Sequence, residues 1–311
     1  MPIKILISDP IDAEGIKKLE EKGFEVDVKS SISKEDLSKA IAEYDGLVVR
    51  SRTNVTKEII EQGKRLKVIA RAGAGLDNID MEAAKKCGVT VLNTPEAPAD
   101  SVAELTVGLI LALVRSITVA DRSMKEGKWL KKELKGSLLR GKTLGLVGLG
   151  NIGVRVAKIA KEMGMKIVFA KRTPPNRELI EALGAEFVPL EELLKRSDIV
   201  SVHVPLNQQS YKMIGAKELS LMKKGAFLIN TSRGAVIDEI ALLDALTSGR
   251  LGGAALDVYE SEPPKDLRLI HLQNVVCTPH IGAQTEEAQK TASILVAEKI
   301  IQFFEKSPPS T

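Results

Sequence analysis

Short apolar runs alternate with amphipathic segments throughout residues 1–95 of the chain. This alternation is typical of strands joined by helices, the arrangement that builds a parallel sheet. The strand-like runs are Ile3–Ser8, Phe24–Val28, Gly46–Val49, Leu66–Ala70 and Val89–Leu92, and the helical segments are Ile11–Glu21, Lys34–Glu43, Lys57–Gln62 and Met81–Lys86. The pattern predicts a small α/β domain, and no nucleotide-binding motif lies within it.

A single long helix is predicted from Asp100 or Ser101 to about Lys125, and its middle is apolar on nearly every face. Such a helix must be covered all round. We therefore expect it in an inter-domain core or in a dimer interface. Its most apolar run, Leu105–Val114, has ten residues and is too short to cross a bilayer, which takes about 20.

A glycine-rich turn follows the apolar run Thr143–Val147 and leads into a helix with regularly spaced apolar residues. This context is the one that a dinucleotide-binding turn requires. The first glycine allows the tight turn, the second lets a pyrophosphate approach the backbone, and the third lets helix and strand pack closely. The helix N–H groups then face the phosphates. The turn consists of Gly148, Gly150, Asn151, Ile152 and Gly153, with Leu149 between the first two.

Strand-like runs without polar alternation continue after the turn, as expected of parallel strands covered on both faces. They are Lys166–Ala170, Ile199–Val204, Ala226–Thr231, Ala254–Val258 and Val275–Thr278, and a last amphipathic helix spans Thr285–Phe304. We predict two doubly wound parallel-sheet α/β domains with a cleft between them. Residues 1–98 and 286–311 are expected to form a discontinuous, flavodoxin-like substrate-binding domain, and residues 99–285 a Rossmann nucleotide-binding domain.

The amino-acid composition excludes only a few classes of function. The chain has 311 residues, 44% of them hydrophobic and 28% charged, with a net charge of +4. Its lysines are interleaved with acids, so we expect no nucleic-acid partner, while a small anionic substrate is compatible. Cys87 and Cys277 match no metal-binding spacing, and we expect buried free thiols, no metal and a cytoplasmic protein. The first four residues lead straight into a strand, so no signal peptide is expected.

The three histidines make the search for a general base short. His271 lies in a polar connecting stretch and is expected at the surface, while His203 ends a strand as a pocket-lining or structural group. His280 follows the last strand, between a proline and a glycine, and is the best candidate base. Arg233 and Glu262 also follow strands, and an arginine there is suited to clamp a carboxylate. The carboxyl ends of parallel strands are where such sheets bind ligands.

These motifs together resemble the D-isomer-specific 2-hydroxyacid dehydrogenases, and among them most closely the phosphoglycerate dehydrogenases. The resemblance extends over nearly the whole chain. The matching blocks are residues 49–53, 71–80, the glycine turn, 230–234, 257–263 and 278–283. It implies oxidation of D-3-phosphoglycerate in serine biosynthesis. The chain ends after one catalytic unit, so we expect no serine-responsive C-terminal domains.

The resemblance also implies roles for the candidate residues. His280 would exchange a proton with the C2 oxygen of the substrate, and Glu262 would pair with it and orient it. Arg233 would bind the substrate carboxylate and polarise the C2 carbonyl. The implied cofactor contacts, besides the glycine turn, are Val204, Pro205, Thr231, Ser232, Asp257, Gly282 and Ala283, with Asp257 on the nicotinamide carboxamide. The implied substrate contacts are Arg50, Ser51, Arg52, Arg71, Gly73, Ala74 and Gly75.

The cofactor is expected to be NAD by family default, but one position departs from that pattern. NAD-binding units usually carry an acidic residue about 20 positions after the turn, on the ribose 2′-OH. Lys171 and Arg172 stand there instead. A basic pair attracts the 2′-phosphate of NADP, so the sequence leaves the choice between NAD and NADP open.

Two other functions compete with phosphoglycerate oxidation. One is a glyoxylate or hydroxypyruvate reductase of the same family, which the basic pair supports because such reductases often use NADPH. The other is a dinucleotide-sensing corepressor, which is disfavoured because Arg233, Glu262 and His280 are all present. By family resemblance a homodimer is expected, formed through the helix at Ser101–Arg122.

Overall fold

The computed structural model describes residues 2–173 and 176–306. The strands are β1 (Lys4–Ile7), β2 (Glu25–Val28), β3 (Gly46–Val49), β4 (Val68–Arg71), β5 (Thr90–Asn93), β6 (Thr143–Val147), β7 (Lys166–Ala170), β8 (Ala185–Phe187), β9 (Ile199–Val202), β10 (Phe227–Asn230), β11 (Gly253–Leu256) and β12 (Val275–Cys277). The helices are α1 (Ala13–Glu21), α2 (Lys34–Ala40), α3 (Lys57–Gln62), α4 (Met81–Lys86), α5 (Ala99–Val114), α6 (Ile117–Lys125), α7 (Asn151–Glu162), α8 (Arg177–Leu183), α9 (Leu190–Arg196), α10 (Ala216–Leu221), α11 (Glu239–Thr247) and α12 (Glu286–Lys306). Single 3₁₀ turns occupy Ile41–Glu43 and Gly234–Val236.

Contacts divide the chain into two compact units. Met1–Ala99 and Ala283–Thr311 form the first, which we call the terminal unit, and Asp100–Gly282 form the second, the central unit. The sequence predicted breaks after residues 98 and 285, and the contacts separate the units after residues 99 and 282. The predicted fold class, two parallel-sheet α/β units, is confirmed.

The terminal unit is built on a five-stranded parallel sheet in the order β2-β1-β3-β4-β5. Helices α2, α3 and α4 contribute to the core on one face, and α12 covers the other face with Val296, Ala297, Ile300 and Phe304. Helix α1 packs against α12 because Gly15 has no side chain: a Cβ there would lie 2.5 Å from the Ser293 carbonyl oxygen. The strand order reverses between β1 and β3, and such a switch point is where ligands bind in doubly wound sheets.

The central unit contains a seven-stranded parallel sheet in the order β12-β11-β10-β9-β6-β7-β8. Its strands are buried on both faces, as β9 and β11 show by having every residue buried. The switch point lies between β6 and β9, the pair from which the chain continues into the glycine turn and His203. The sequence missed β8, a three-residue strand at the edge of the sheet.

Two expectations from the sequence were wrong. The single long helix is two helices, α5 and α6, bent by 65°. The break comes at Ser116, whose φ of 52° is left-handed and cannot continue a right-handed helix. Cys87 and Cys277 are free but exposed, because one caps the end of α4 and the other lies on the edge strand β12.

No helix among the described residues is by itself long and apolar enough to cross a membrane. By length and composition, the bent pair α5 and α6 passes that test together.

The packing of α12 predicts a large stability effect. Phe304 is 7% exposed and meets Phe24 edge to face with ring centroids 5.7 Å apart. Phe304→Ala should lower the free energy of unfolding by about 3–5 kcal/mol, the usual cost of emptying a buried aromatic site. Trp129, 74% exposed, is the matched control, and Trp129→Ala should change stability by less than about 0.5 kcal/mol. Urea unfolding measures both; equal midpoints for the two variants would contradict this packing.

Candidate active site

The glycine turn joins β6 to α7 at the switch point of the central sheet. Gly148 has φ of 101°, and a Cβ there would collide with the carbonyl oxygen of His203. At Gly153 a Cβ would lie 2.5 Å from the Gly148 carbonyl oxygen, whereas at Gly150 it would meet nothing within 4 Å. Two glycines are therefore required by protein packing, and the third faces open space.

The start of α7 has the features of a phosphate site. Asn151 and Ile152 form its first turn, and Gly150 at the N-cap offers no side chain to satisfy their N–H groups. Unpaired helix N–H groups beside an open glycine fit the pyrophosphate of a dinucleotide. These are residues for which the sequence predicts cofactor contacts.

His203 lies at the switch point and is partly buried. Its Nε2 lies 2.9 Å from Ser201 Oγ, and burial lowers the pKa of the imidazole to about 4. It is therefore neutral near pH 7. The Val204 side chain and the His203 carbonyl both lie against Gly148, so this segment supports the turn from the side of β9.

Lys171 and Arg172 end β7 and are both exposed. The Arg172 guanidinium makes one long hydrogen bond, 3.4 Å from Nη2 to Asn207 Oδ1. Nearby, the Pro205 carbonyl accepts a hydrogen bond of 2.7 Å from Ser210 Oγ. The position of the expected ribose-binding acid is thus occupied by two solvent-accessible cations.

The loop after β10 presents Arg233 through bonds among its own residues. Asn230 Oδ1 accepts the Ser232 hydroxyl at 2.8 Å, and Asn230 Nδ2 donates to the Arg233 carbonyl at 3.0 Å. Thr231 Oγ1 lies 2.9 Å from Thr106 Oγ1 on α5. The hydroxyls of Thr231 and Ser232 therefore already have hydrogen-bond partners within the protein. These bonds fix the bend of the loop that carries Arg233.

His280 and Glu262 form a close pair. Nδ1 of His280 lies 2.7 Å from Oε2 of Glu262, and the two side chains are 44% and 39% exposed. Burial acts to raise the pKa of Glu262. Three neighbours outweigh this effect and lower the pKa of Glu262: His280 by its hydrogen bond and charge, Tyr259 by its N–H at 3.2 Å, and Arg233 by its charge. Glu262 is a carboxylate at neutral pH, and it holds Nδ1 so that Nε2 is left for a substrate.

Asp257 holds the loop that carries His280. Its Oδ1 accepts the Thr278 hydroxyl at 2.6 Å and the Ile281 N–H at 2.8 Å, and its Oδ2 accepts the Gly282 N–H at 2.9 Å. Its carbonyl accepts the His280 N–H at 2.8 Å. The family resemblance implied a nicotinamide contact for this residue, but both carboxylate oxygens bond to the loop. The sequence did not predict that Asp257 anchors this loop, because a carboxylate can accept a hydrogen bond from any amide that the fold brings near it.

The backbone of His280 explains why the loop needs such support. Its φ of 53° is left-handed, a conformation that costs a non-glycine residue free energy and persists only where the surroundings enforce it. Gly282 leaves room for the anchor, because a Cβ there would lie 3.1 Å from Asp257 Oδ2. Ala283, expected among the cofactor contacts, belongs to the terminal unit.

Asp9 organises the Arg50–Thr53 loop of the terminal unit. The carboxylate is fully buried and accepts the Arg50 N–H at 2.6 Å, the Thr53 N–H at 3.2 Å and the Thr53 hydroxyl at 2.6 Å. Arg52 Nε lies 3.1 Å from the same carboxylate, and its Nη2 donates to the Ser8 carbonyl. Arg52 is therefore the counter-ion of a buried acid, a use that its sequence position does not reveal.

The Arg71–Gly75 loop is similarly tied. Arg71 donates from Nε to the Arg50 carbonyl at 3.3 Å and from Nη1 to the Gly75 carbonyl. The Gly73 N–H donates to Thr94 Oγ1 at 2.9 Å. The structure records no hydrogen-bond acceptor for the N–H groups of Ala74 and Gly75 within residues 2–173 and 176–306. Gly73, Ala74 and Gly75 are all expected substrate contacts, and the N–H groups of the last two are available to a ligand.

Arg50 and Ser51 differ from Arg52 and Arg71, which are also expected substrate contacts. Arg50 Nη1 has only long hydrogen bonds, 3.3 Å to the Pro10 carbonyl and 3.5 Å to Gln289 Oε1. Ser51 is exposed. Both side chains are therefore accessible to a ligand.

Sequence comparisons agree with this geometry. The family model of the D-isomer specific 2-hydroxyacid dehydrogenase, NAD binding domain, matches residues 107–282. A D-3-phosphoglycerate dehydrogenase from Methanocaldococcus jannaschii is 50% identical over 299 residues, covering 96% of this chain but 57% of that protein. A hydroxypyruvate reductase from Thermotoga maritima is 50% identical over 303 residues, covering 96% of this chain and 97% of that protein.

A solved structure supports the same assignment. The glyoxylate reductase from Paecilomyes thermophila matches with a TM-score of 0.90 at 32% identity, covering 98% of this chain and 96% of that one. The switch-point glycine turn and the histidine–glutamate pair define a dinucleotide-binding oxidoreductase. The chain belongs to the D-isomer specific 2-hydroxyacid dehydrogenase family.

The geometry of the turn makes a direct prediction. Gly148→Ala should weaken dinucleotide binding by about tenfold or more, equivalent to 1.4 kcal/mol, because its Cβ would push the turn away from His203. Gly249→Ala is the matched control, since Gly249 also has positive φ but a Cβ there meets nothing within 4 Å. Fluorescence titration with NADH and NADPH measures both variants, and unchanged affinity in the first would refute the assignment.

Proposed function

We propose that the chain reduces hydroxypyruvate or glyoxylate to the corresponding 2-hydroxy acid with a nicotinamide cofactor. The observation that carries the proposal is the 2.7 Å bond between His280 and Glu262. Arg233 lies close enough for its charge to lower the pKa of Glu262. All three residues follow strands of the sheet that also carries the glycine turn.

Reduction of a 2-oxo acid adds a hydride to C2 and a proton to the carbonyl oxygen. The nicotinamide, when bound, supplies the hydride. His280 in its protonated form donates the proton from Nε2, since Nδ1 is held by Glu262. The carboxylate stabilises the imidazolium that makes this donation, and it also fixes the plane of the ring.

The substrate carboxylate needs a cation and N–H donors. Arg233 provides a planar guanidinium that matches a carboxylate bidentately. In the same role, its charge would draw electron density from the neighbouring C2 carbonyl and favour hydride addition.

Substrates without a phosphate fit the arginines better than phosphorylated ones. Arg52 is paired with buried Asp9, and Arg71 bonds to the carbonyls of Arg50 and Gly75, so both have structural uses. The two relatives named reductases match over 96% or more of their own lengths. D-3-phosphoglycerate oxidation is the second candidate, supported by the 50% identity to the Methanocaldococcus protein and by accessible Arg50.

For the cofactor we propose that NADPH is accepted. Lys171 and Arg172 are exposed at the end of β7, and two cations there would attract a 2′-phosphate, whereas a carboxylate would repel it. NADH lacks that group and gains nothing from them.

A rate matrix tests these proposals. With hydroxypyruvate, glyoxylate and 3-phosphohydroxypyruvate against NADH and NADPH, kcat/KM should be highest for one of the first two substrates. The double variant Lys171→Ala, Arg172→Ala should raise the KM for NADPH by about tenfold or more relative to NADH, as expected for losing phosphate contacts. Lys166→Ala, exposed at the other end of β7, should leave both values unchanged. A clear preference for the phosphorylated substrate would instead establish the second candidate.

The proton-transfer roles predict losses of turnover. His280→Ala should abolish most turnover, while His271→Ala, at an exposed position, should not. In Glu262→Gln the charged acceptor of the His280 Nδ1 bond is replaced by a neutral one, so kcat for reduction should fall by about tenfold or more. Unchanged kcat in this variant would show that Glu262 does not act on His280.

A further inference from the structure

The loop that carries Glu262 is packed directly against the loop that carries Arg233. A Cβ at Gly234 would collide with the backbone carbonyl of Tyr259 and the backbone nitrogen of Glu260. Two backbones can approach this closely only where one residue lacks a side chain. The position of Glu262 therefore depends on how the backbone at Tyr259 and Glu260 is held.

Glu239 holds that backbone from the start of α11. Its Oε1 accepts the Glu260 N–H at 2.6 Å. Glu239 is itself well anchored, because Asp238 caps the helix by accepting the N–H groups of Ile240 at 3.1 Å and Ala241 at 3.2 Å. A rigid helix end is thus joined to the loop two residues before Glu262.

Charged groups surround this contact. Lys212 Nζ lies 3.3 Å from Glu260 Oε1 and 3.9 Å from Asp238 Oδ2. Half-burial raises the pKa of Glu239, and the charges of Glu260 and Asp266 add to the rise, while the hydrogen bond from the Glu260 N–H and the charge of Lys212 oppose it. Glu239 is therefore kept in an environment unlike that of a solvated surface acid, although nothing in the proposed chemistry uses it.

We propose that Glu239 is a positioning residue for the His280–Glu262 pair. By fixing the Glu260 N–H, it sets the loop so that Glu262 receives the Tyr259 N–H on one oxygen and His280 Nδ1 on the other. It touches neither substrate nor cofactor in this role. The inference rests on the proposed function of His280 and Glu262 in proton transfer.

Two variants of Glu239 test the proposal by turnover. Glu239→Ala removes the acceptor, and kcat should fall about tenfold or more, as for one lost charged hydrogen bond, while the KM for cofactor stays within about twofold. Glu239→Gln keeps an acceptor oxygen and should restore most of kcat. Glu178→Ala and Glu178→Gln, in the exposed first turn of α8, are the matched controls.

A spectroscopic measurement separates this proposal from the proposed function. In the cofactor-free protein, the Nδ1 proton of His280, assigned by its loss in His280→Ala, should give a downfield NMR signal from its bond to Glu262. Glu239→Ala should shift or broaden that signal, and Glu239→Gln should preserve it. If the signal and kcat are both unchanged in Glu239→Ala, or if Gln fails to restore them, Glu239 does not position the pair. Absence of 2-oxo acid turnover in the wild type would overturn the proposed function alone, since the NMR result still decides the positioning.

Discussion

At two strand ends of this protein, one in each unit, a buried carboxylate accepts backbone N–H groups that the sheet leaves unpaired. Asp9 follows β1 and accepts two N–H groups of the loop after β3. Asp257 follows β11 and accepts two N–H groups of the loop after β12. In each unit, an acid at the end of one strand therefore shapes the loop that follows a different strand of the same sheet. Candidate site residues lie in these loops.

This arrangement makes the loops at the carboxyl ends of these strands rigid. An anionic acceptor forms stronger hydrogen bonds than a neutral one, and leaving a buried carboxylate unsatisfied is costly. Asp9 is therefore satisfied by four donors at once, including the Arg52 guanidinium. The left-handed backbone of His280 is maintained by the same means, with Asp257 bonding on both sides of it. Because these loops are rigid, the candidate site side chains that they carry at the carboxyl ends of the strands are held in fixed directions.

Periodicity and motif context were sufficient to predict both parallel sheets, the glycine turn and the proximity of His280, Glu262 and Arg233. Their signals are local or follow from one rule, that parallel strands share a carboxyl edge. The anchoring roles of Asp9, Asp257 and Glu239 could not be predicted, because each acid bonds to an amide brought near only by the tertiary fold. The helix break at Ser116 could not be predicted either. Serine does not require a left-handed φ, and the sequence around it continues the helical pattern.

The packing of α12 onto the terminal sheet has a consequence for biosynthesis. Strand residues Ile5, Ile7, Val48 and Val68 belong to the core that α12 completes, yet they leave the ribosome long before that helix is made. The central unit, continuous from Asp100 to Gly282, has all its strands available earlier. Cotranslational folding should therefore finish in the middle of the chain first, while one face of the first-made sheet stays exposed to chaperones and to aggregation until the last helix emerges.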